Sequence, residues 1–594
     1  MSVRYAVRLD ACARHTVAIE LRFPAGDGDT VDVALPTWCP GSYLIRDYAR
    51  FVRDLEAYAD DDTPRRAVKV DKTLWRIERA GARELAVRYV VYGHDLTVRT
   101  NHIDATHAFL HGPATFVSPV ALRDAPVEVE VDCPEGWNLT TAMAWDGAPA
   151  TLRAASIDEL YDHPIHVGPT RTYPVPAKVP VRLAVWGDRA PGGTFDEARL
   201  ATDVGAIVDD HVARFGEAPF PNYTFILMLA HDGYGGLEHR ASSVNLYHPY
   251  FAASRKAYEG LLELLSHELF HAWNGKRIAP APLLHFDYTK EAYTRCLWVM
   301  EGVTSHYDRL ALRTSGRITA KSFLDKVLDD WVRLQMTPGR AKQTLEEASF
   351  DAWIKLYKPD ESNLNTTVSY YLKGGLVMLA LDLQIRRRTE GARSLDDVLR
   401  AMWRRFGATR EPHPDDLQPV FEEATGLALG DVFGKQIRGT DDPDLVGELA
   451  HVGVELRASA DPPQIADGLQ AVWLGATTAG VKVTGVFDHG PGHAAGLSPG
   501  DEIIAIDGFR ATTDGDLRSL AGARRVGDHV ALSVFRRHRL IELDLMLGAA
   551  PPTRWEIAGV AEPGPAAARY QAWLGEPHPG AAVLATVTAT ARWV

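Results

Sequence analysis

His267 and His271 stand four positions apart in Ser266-His267-Glu268-Leu269-Phe270-His271-Ala272-Trp273-Asn274. On a helix, residues four apart share one face, so both imidazoles can reach a single metal ion. Glu268, one step round, can then act as a base toward a water on that ion. The run before it, Tyr258-Glu259-Gly260-Leu261-Leu262-Glu263-Leu264-Leu265, has the apolar periodicity of a helix entering a core. Two ligands and a base are chemistry without a reaction; a third ligand and a substrate wall must come from elsewhere in the chain.

The elements that could supply them belong to a large molecule. At 594 residues the chain is too long for one core, and three or four domains are expected. Hydrophobic and charged contents of 46% and 24% are ordinary globular values. A net charge of −14 argues against a nucleic-acid partner, which would need a basic footprint. Cys12, Cys39, Cys133 and Cys296 are scattered without paired spacing, which suits a reducing compartment and suggests neither a disulfide scaffold nor a thiolate zinc site. The first residues alternate like a strand without an apolar leader, and no span approaches the length of a membrane helix. The expectation is a cytoplasmic enzyme with no membrane partner, or a periplasmic one if a signal has been removed.

Residues 1–170 read as a β-rich N-terminal domain of two packed sheets, with plain alternation in Val31-Asp32-Val33-Ala34-Leu35 and Val127-Glu128-Val129-Glu130-Val131. Inside it, Trp38-Cys39-Pro40-Gly41-Ser42-Tyr43-Leu44-Ile45-Arg46-Asp47 reads as a buried corner rather than a ligand site. Residues 171–448 form the next domain. It opens with short strands such as Tyr223–Leu229, passes through the glycine-rich Asp232–His239, and turns helical over 255–445, where Leu324, Val327, Leu328, Trp331 and Leu334 mark a buried face. Strands return after Asp444. The run Gly490–Gly508 closely resembles the PDZ-domain pattern, a short helix at Ala494-Ala495 preceding a tight turn and a strand that ends in Asp507-Gly508. This sets a PDZ domain at 449–548 and a C-terminal extension at 549–594, in which Trp555, Tyr570 and Trp573 should pack.

Two carboxylates compete for the third metal position. Glu291 follows His271 by twenty positions, close to the spacing in thermolysin-like and aminopeptidase-N-like enzymes, but its polar surroundings, Tyr288–Arg295, read as an exposed helix start. Glu301 is embedded in Leu297-Trp298-Val299-Met300-Glu301-Gly302-Val303, where a carboxylate must be paired or metal-bound to offset its burial cost. Its Trp-x-x-Glu-Gly-x-Thr context also resembles the glutamate-ligand segment of aminopeptidase-N-like enzymes. Burial selects Glu301, with the extra residues forming a loop insertion between two metal-bearing helices. His285 and His306 are assigned structural or supporting roles.

Two further segments resemble the same enzymes. Gly235-Gly236-Leu237-Glu238-His239 is similar to their Gly-x-Met-Glu-Asn motif, with Leu for Met and His for Asn. The resemblance implies that Gly235 and Gly236 line the substrate backbone and that Glu238 holds its free α-amino group through a charge-assisted bond. Tyr370-Tyr371-Leu372-Lys373-Gly374-Gly375 resembles their Tyr-x-Lys-Gly segment, which implies that Tyr371 donates a hydrogen bond to the tetrahedral oxyanion. Tyr370 would face elsewhere and pack.

Together with the β-rich start and the PDZ pattern, these motifs resemble the glycyl aminopeptidase family of PDZ-containing zinc metallopeptidases, gluzincins related to aminopeptidase N and thermolysin. The implied architecture is multidomain: a β-rich N-terminal domain, a thermolysin-like α+β catalytic domain with a helical part, and a C-terminal PDZ domain. The implied chemistry is one Zn²⁺ per chain on His267, His271 and Glu301, with Glu268 as base, removing N-terminal residues, small ones such as Gly and Ala, from peptides with a free N-terminus. Asn274, Lys276 and Arg277, which follow the metal helix, are expected to orient ligands or close the site, or else to serve the structure. The PDZ domain is expected either to take a peptide or protein ligand, at a carboxylate-binding loop near Trp473-Leu474-Gly475-Ala476, or to be closed and purely structural. Two other readings stay open: a zinc endopeptidase or oligopeptidase, and a PDZ-based binding protein with a vestigial metal site.

Overall fold

Buried and exposed residues alternate along Val3–Arg8 and Val127–Asp132, and these two strands pair in parallel at the middle of an eight-stranded sheet. The computed structural model describes residues 2–146, 150–188, 196–459, 471–552 and 554–588. The chain divides into two compact units. One comprises Met1–Thr294, Tyr307–Arg317 and Leu399–Asp415, the other Arg295–His306, Ile318–Val398 and Asp416–Val594.

In the first unit, Tyr5, Val7, Leu21, Phe23, Val87 and Val129 point from the large sheet into a shared core. Two four-stranded sheets complete the N-terminal region, so three sheets stand where two were expected. The additional sheet arises because Asn138–Thr140, His102–Ile103, Ala108–Leu110 and Ile165–Gly168 pair with one another instead of extending the large one. A separate five-stranded sheet follows, in the order Arg171–Val175, Val181–Trp186, Tyr223–Leu229, Ser242–Tyr247, Gly235–Glu238. Every residue of Tyr223–Leu229 is buried, as befits a central strand covered on both faces. Gly235–Glu238 lies at the edge, antiparallel to its one neighbour. Helix Arg255–Phe270 packs on this edge pair, its start capped by Ser254, whose hydroxyl accepts from Ala257 N at 3.1 Å.

The second unit holds helices Ala320–Gln335 and Tyr370–Arg388. The first of these buries Leu324, Val327, Leu328, Trp331 and Leu334, the face read from the sequence. A six-stranded sheet with helix Asp514–Gly522 and a core around Leu474, Ile503, Leu517 and Leu532 makes up the PDZ region. Its short helix runs Pro491–Ala494, slightly earlier than expected, because Pro491 suits a first helical position. Asn365 joins this region to the helical one: its Nδ2 donates to Val486 O (2.7 Å) and its Oδ1 accepts from Asp488 N (3.0 Å). Strands Val454–Ser459, Arg554–Gly559 and Val583–Thr588 form a further sheet, and Tyr570 and Trp573 are buried on helix Ala566–Leu574. Trp555 and Trp573 pack against Trp331 and Phe323, so the expected packing of these C-terminal aromatics is met on Ala320–Gln335. All four cysteines are free thiols, and among the described residues no helix is long and apolar enough to cross a membrane.

Candidate active site

Helix Arg255–Phe270 ends one residue before His271, which keeps right-handed helical backbone angles as the cap, so His267 and His271 retain their helical spacing. Each ring is oriented by a bond on its outer nitrogen. His267 Nδ1 donates to Asp308 Oδ2 at 2.9 Å, and His271 Nδ1 donates to Asn274 O at 2.8 Å. With both protons on Nδ1, the two Nε2 lone pairs face one another at 3.1 Å. An oxygen of Glu301 completes the group, all three ligand atoms lying within 4.8 Å of one another. Two converging imidazole lone pairs and a carboxylate are the donor set of a catalytic zinc site with an open position, and the bonds from Nδ1 are the outer contacts such ligands require. The residues therefore fit the metal.

Glu301 lies in a π-helical turn, Trp298–Gly302, that runs directly into helix Val303–Thr314. Such turns recur at functional sites because the extra residue re-aims a side chain. Asp308 follows Glu301 by seven positions, two turns later on the same helical face. Ser266 secures that helix by donating to Asp308 O (2.8 Å), while His211 Nε2 lies 2.9 Å from the same hydroxyl. Glu291 is half-buried in an irregular segment, not at a helix start, and is in no metal-competent group among the described residues. His285 is exposed at the end of a short helix, and His306 is buried.

The edge strand forms a wall beside Glu268. A Cβ on Gly236 would come within 2.0 Å of Glu268 Oε1, so only glycine leaves room for that carboxylate. Burial pushes the Glu268 carboxyl up to about 7; His267, His271 and Arg99 oppose the shift and Glu238 adds to it. Glu238 is itself buried. Behind it lies Gly41, whose φ of +93° suits glycine and whose Cβ would fall 2.5 Å from the Glu238 carboxylate. Arg99 Nη2 holds the strand by donating to Gly236 O at 2.9 Å. Beyond Glu238, Asp162 takes Lys276 Nζ at 2.6 Å and Arg240 N at 2.7 Å, with His239 Nδ1 at 3.7 Å. Burial works against the Asp162 charge, but Lys276, His239 and His163 together outweigh it and hold the carboxyl well below the usual range. Arg277 donates to Ala272 O and Arg240 O. Asn274 thus bonds to His271, Lys276 to Asp162, and Arg277 to the backbone of Ala272 and Arg240.

Residues 4–169 match the peptidase M61 N-terminal domain, residues 260–377 the M61 glycyl aminopeptidase domain, and residues 450–547 a PDZ domain. The chain belongs to the M61 glycyl aminopeptidase family. A crystal structure of an aminopeptidase N family protein from Idiomarina loihiensis is similar to this M61 chain over nearly its whole length, with 29% identity and a TM-score of 0.89 across 96% of this chain and 100% of that one. Two curated proteins from Pseudomonas putida, described as probable periplasmic serine endoproteases of DegP-like type, are 33% and 32% identical over 86 and 84 residues. The M61 chain spans only 18% of the length of those relatives.

In the second unit of the M61 chain, Tyr371 lies in the first turn of helix Tyr370–Arg388, capped by Ser369. Its hydroxyl is 2.9 Å from that of Tyr357. Tyr370 is fully buried with its ring stacked on Tyr371, in keeping with a packing role. A Cβ on Gly302 would lie 2.8 Å from Gly374 Cα, so the helix of Glu301 and the helix of Tyr371 cross in backbone contact one residue past Glu301. Lys373 Nζ donates to Thr440 O (2.9 Å) and Arg340 O (3.2 Å), which ties the same helix to its surroundings. Asp308, Arg99, Asp162 and Gly41 were not found from the sequence. Only Asp308 left a trace, its seven-residue offset from Glu301; the others arrive from distant strands and corners.

Proposed function

We propose that this protein is a zinc-dependent aminopeptidase that removes N-terminal residues, small ones such as Gly and Ala, from peptides. The observation that carries the reading is the buried carboxylate pair Glu268 and Glu238, set along one edge strand beside the two histidines. A general base needs one carboxylate; a second at the strand end gives the site something to hold an ammonium group.

Zn²⁺ on His267, His271 and Glu301 would supply Lewis acidity and an acidified water. Glu268, whose burial raises its basicity, takes the water proton on its carboxylate and passes it to the leaving amine. Glu238 pairs with the substrate α-ammonium and fixes the cut one residue in. The open side of Gly235–Glu238 offers backbone groups to an extended peptide, as sheet edges do. Tyr371 donates to the carbonyl oxygen as its charge develops. Preference for small residues is supported by the family description. The turn Trp473–Ala476 is assigned to the carboxylate terminus of a PDZ ligand. The four free thiols support work in a reducing, cytoplasmic setting.

The deciding test compares a Gly-terminated peptide with its N-acetylated twin. Hydrolysis of the free amine alone, with a Glu238→Gln variant raising KM by roughly ten- to a hundredfold, is the expected result. Equal cleavage of both peptides would replace this reading with an endopeptidase. Chelation should abolish turnover and Zn²⁺ restore it.

A further inference from the structure

A second set of donors lies in the N-terminal region, on residues given no role above. His102, Asp104 and His107 each offer a ligand atom, all within 4.8 Å of one another. They occupy one hairpin, in which His102–Ile103 pairs with Ala108–Leu110 and the turn is closed by Asp104 N donating to His107 O at 2.9 Å. Asp104 Oδ1 accepts from Thr106 N (2.7 Å), Thr106 Oγ1 (2.6 Å) and His107 N (3.1 Å). Those bonds fix the carboxylate plane. His102 Nδ1 faces His107 Nε2 at 2.6 Å, and His107 Nδ1 faces His166 Nε2 at 2.9 Å. The His107 ring lies flat on Trp186, centroids 3.6 Å apart. His102, His107 and His166 are all buried.

We propose that His102, Asp104 and His107 form a second metal site, structural in role, for a divalent transition ion of the zinc class. Two neutral imidazoles and a carboxylate suit such an ion. A ladder of hydrogen-bonded histidines would account for the ring contacts alone, but it needs no carboxylate converging on the same point. The 2.6 Å nitrogen separation is also tighter than hydrogen bonds from nitrogen usually reach. Seating an ion with bonds of about 2.0–2.1 Å requires the nitrogens to open to roughly 3.3 Å. A small ring rotation does this.

Coordination through Nε2 places the His107 proton on Nδ1, where His166 accepts it, the outer contact that ligating histidines keep. Asp104 is half-buried and Ala105 and Thr106 are exposed, which gives an ion a way in. The fourth position falls to water or to His94, an exposed residue whose ring is stacked 6.0 Å from that of His102. Because Trp186 belongs to the five-stranded sheet and the ligands to the N-terminal hairpin, an ion here would fasten one to the other within the first unit.

The test uses the full chain carrying His267→Ala and His271→Ala, stripped by chelator and titrated with Co²⁺. One ion per chain, with visible bands of a four-coordinate centre and a rise in Tm, is the expected result. Adding His107→Phe should remove the bands and the Tm rise while keeping the stack on Trp186. Asp104→Asn, at a half-exposed position, should weaken Co²⁺ at least tenfold and leave the circular dichroism unchanged. A double variant that binds no Co²⁺, or an Asp104→Asn protein that binds it as tightly as its parent, would overturn the proposal. Neither result depends on the aminopeptidase reading, since the active-site histidines are absent throughout.

Discussion

The pair His267–His271 and the pair His102–His107 use the same side chains on opposite frameworks. The first sits on one helix, so its spacing of four is imposed by the helical repeat and its rings need bracing only from outside, by Asp308 and the Asn274 carbonyl. The second spans a hairpin turn, and its rings are set by the strand pairing, by Trp186 and by His166. The helix pair leaves its nitrogens 3.1 Å apart beside a base and a peptide-sized edge; the hairpin pair closes to 2.6 Å in a buried niche. The difference matches the two proposals, one site for turnover and one for holding.

The largest effect should come from Glu268→Gln. If the helix pair is catalytic, peptide hydrolysis falls by roughly 10²–10⁴ while zinc content is retained. Unchanged hydrolysis would make the helix pair as passive as the hairpin pair. Gly236→Ala comes next. Its Cβ would displace Glu268 Oε1, and misplacing a reacting group by about 1 Å can cost on the order of 10² in rate. Normal Tm and zinc content with intact kcat would show that Glu268 has other room to turn. Asp308→Asn should act on the metal more than on the reaction. Losing the charged acceptor behind His267 is expected to weaken zinc about ten- to a hundredfold, read by competition with a chelator. His166→Phe should weaken Co²⁺ at the hairpin by a similar factor, and a variant that leaves it unchanged would mean that this site lacks the outer bracing of the first.

This contrast also explains what could be read from the sequence. His267, Glu268 and His271 were legible because their relation is local and periodic. Glu301 was legible because burial of a lone carboxylate demands a reason, and its π turn was not, because nothing in Trp298–Gly302 announces an inserted residue. The buried face of Ala320–Gln335 and the PDZ pattern followed from period and turn residues. The corner Trp38–Asp47 is buried at Trp38, Cys39, Ser42 and Tyr43, as read, yet its use as the backing of Glu238 rests on a contact across nearly two hundred positions. The hairpin histidines escaped notice for the same reason. A spacing of five across a turn has no repeat behind it, and His166 joins through sheet pairing and Trp186 through a ring stack from another sheet.

The smallest effect concerns the bracing of the helix pair under acid. His211 is fully buried, and burial, with some help from Arg214, lowers its pKa to about 3 against the bond to Ser266. The folded protein therefore keeps this ring neutral where the unfolded chain, with an ordinary histidine pKa near 6.5, takes up a proton. Stability contributed by the neutral ring is intact above about pH 6.5 and is lost as pH falls toward 3, at a slope of about 1.4 kcal/mol per pH unit. Between pH 7 and pH 5 this one residue should remove roughly 2 kcal/mol. Urea unfolding at the two pH values, in the His267→Ala/His271→Ala background with chelator present so that metal release from either site plays no part, gives the measurement. His211→Gln should lose about that much less than its parent over the interval, because glutamine does not titrate. Equal losses would mean that His211 takes up its proton without unfolding the Ser266–Asp308 brace. The helix pair would then keep its bonds to Asp308 and the Asn274 carbonyl without needing His211 neutral.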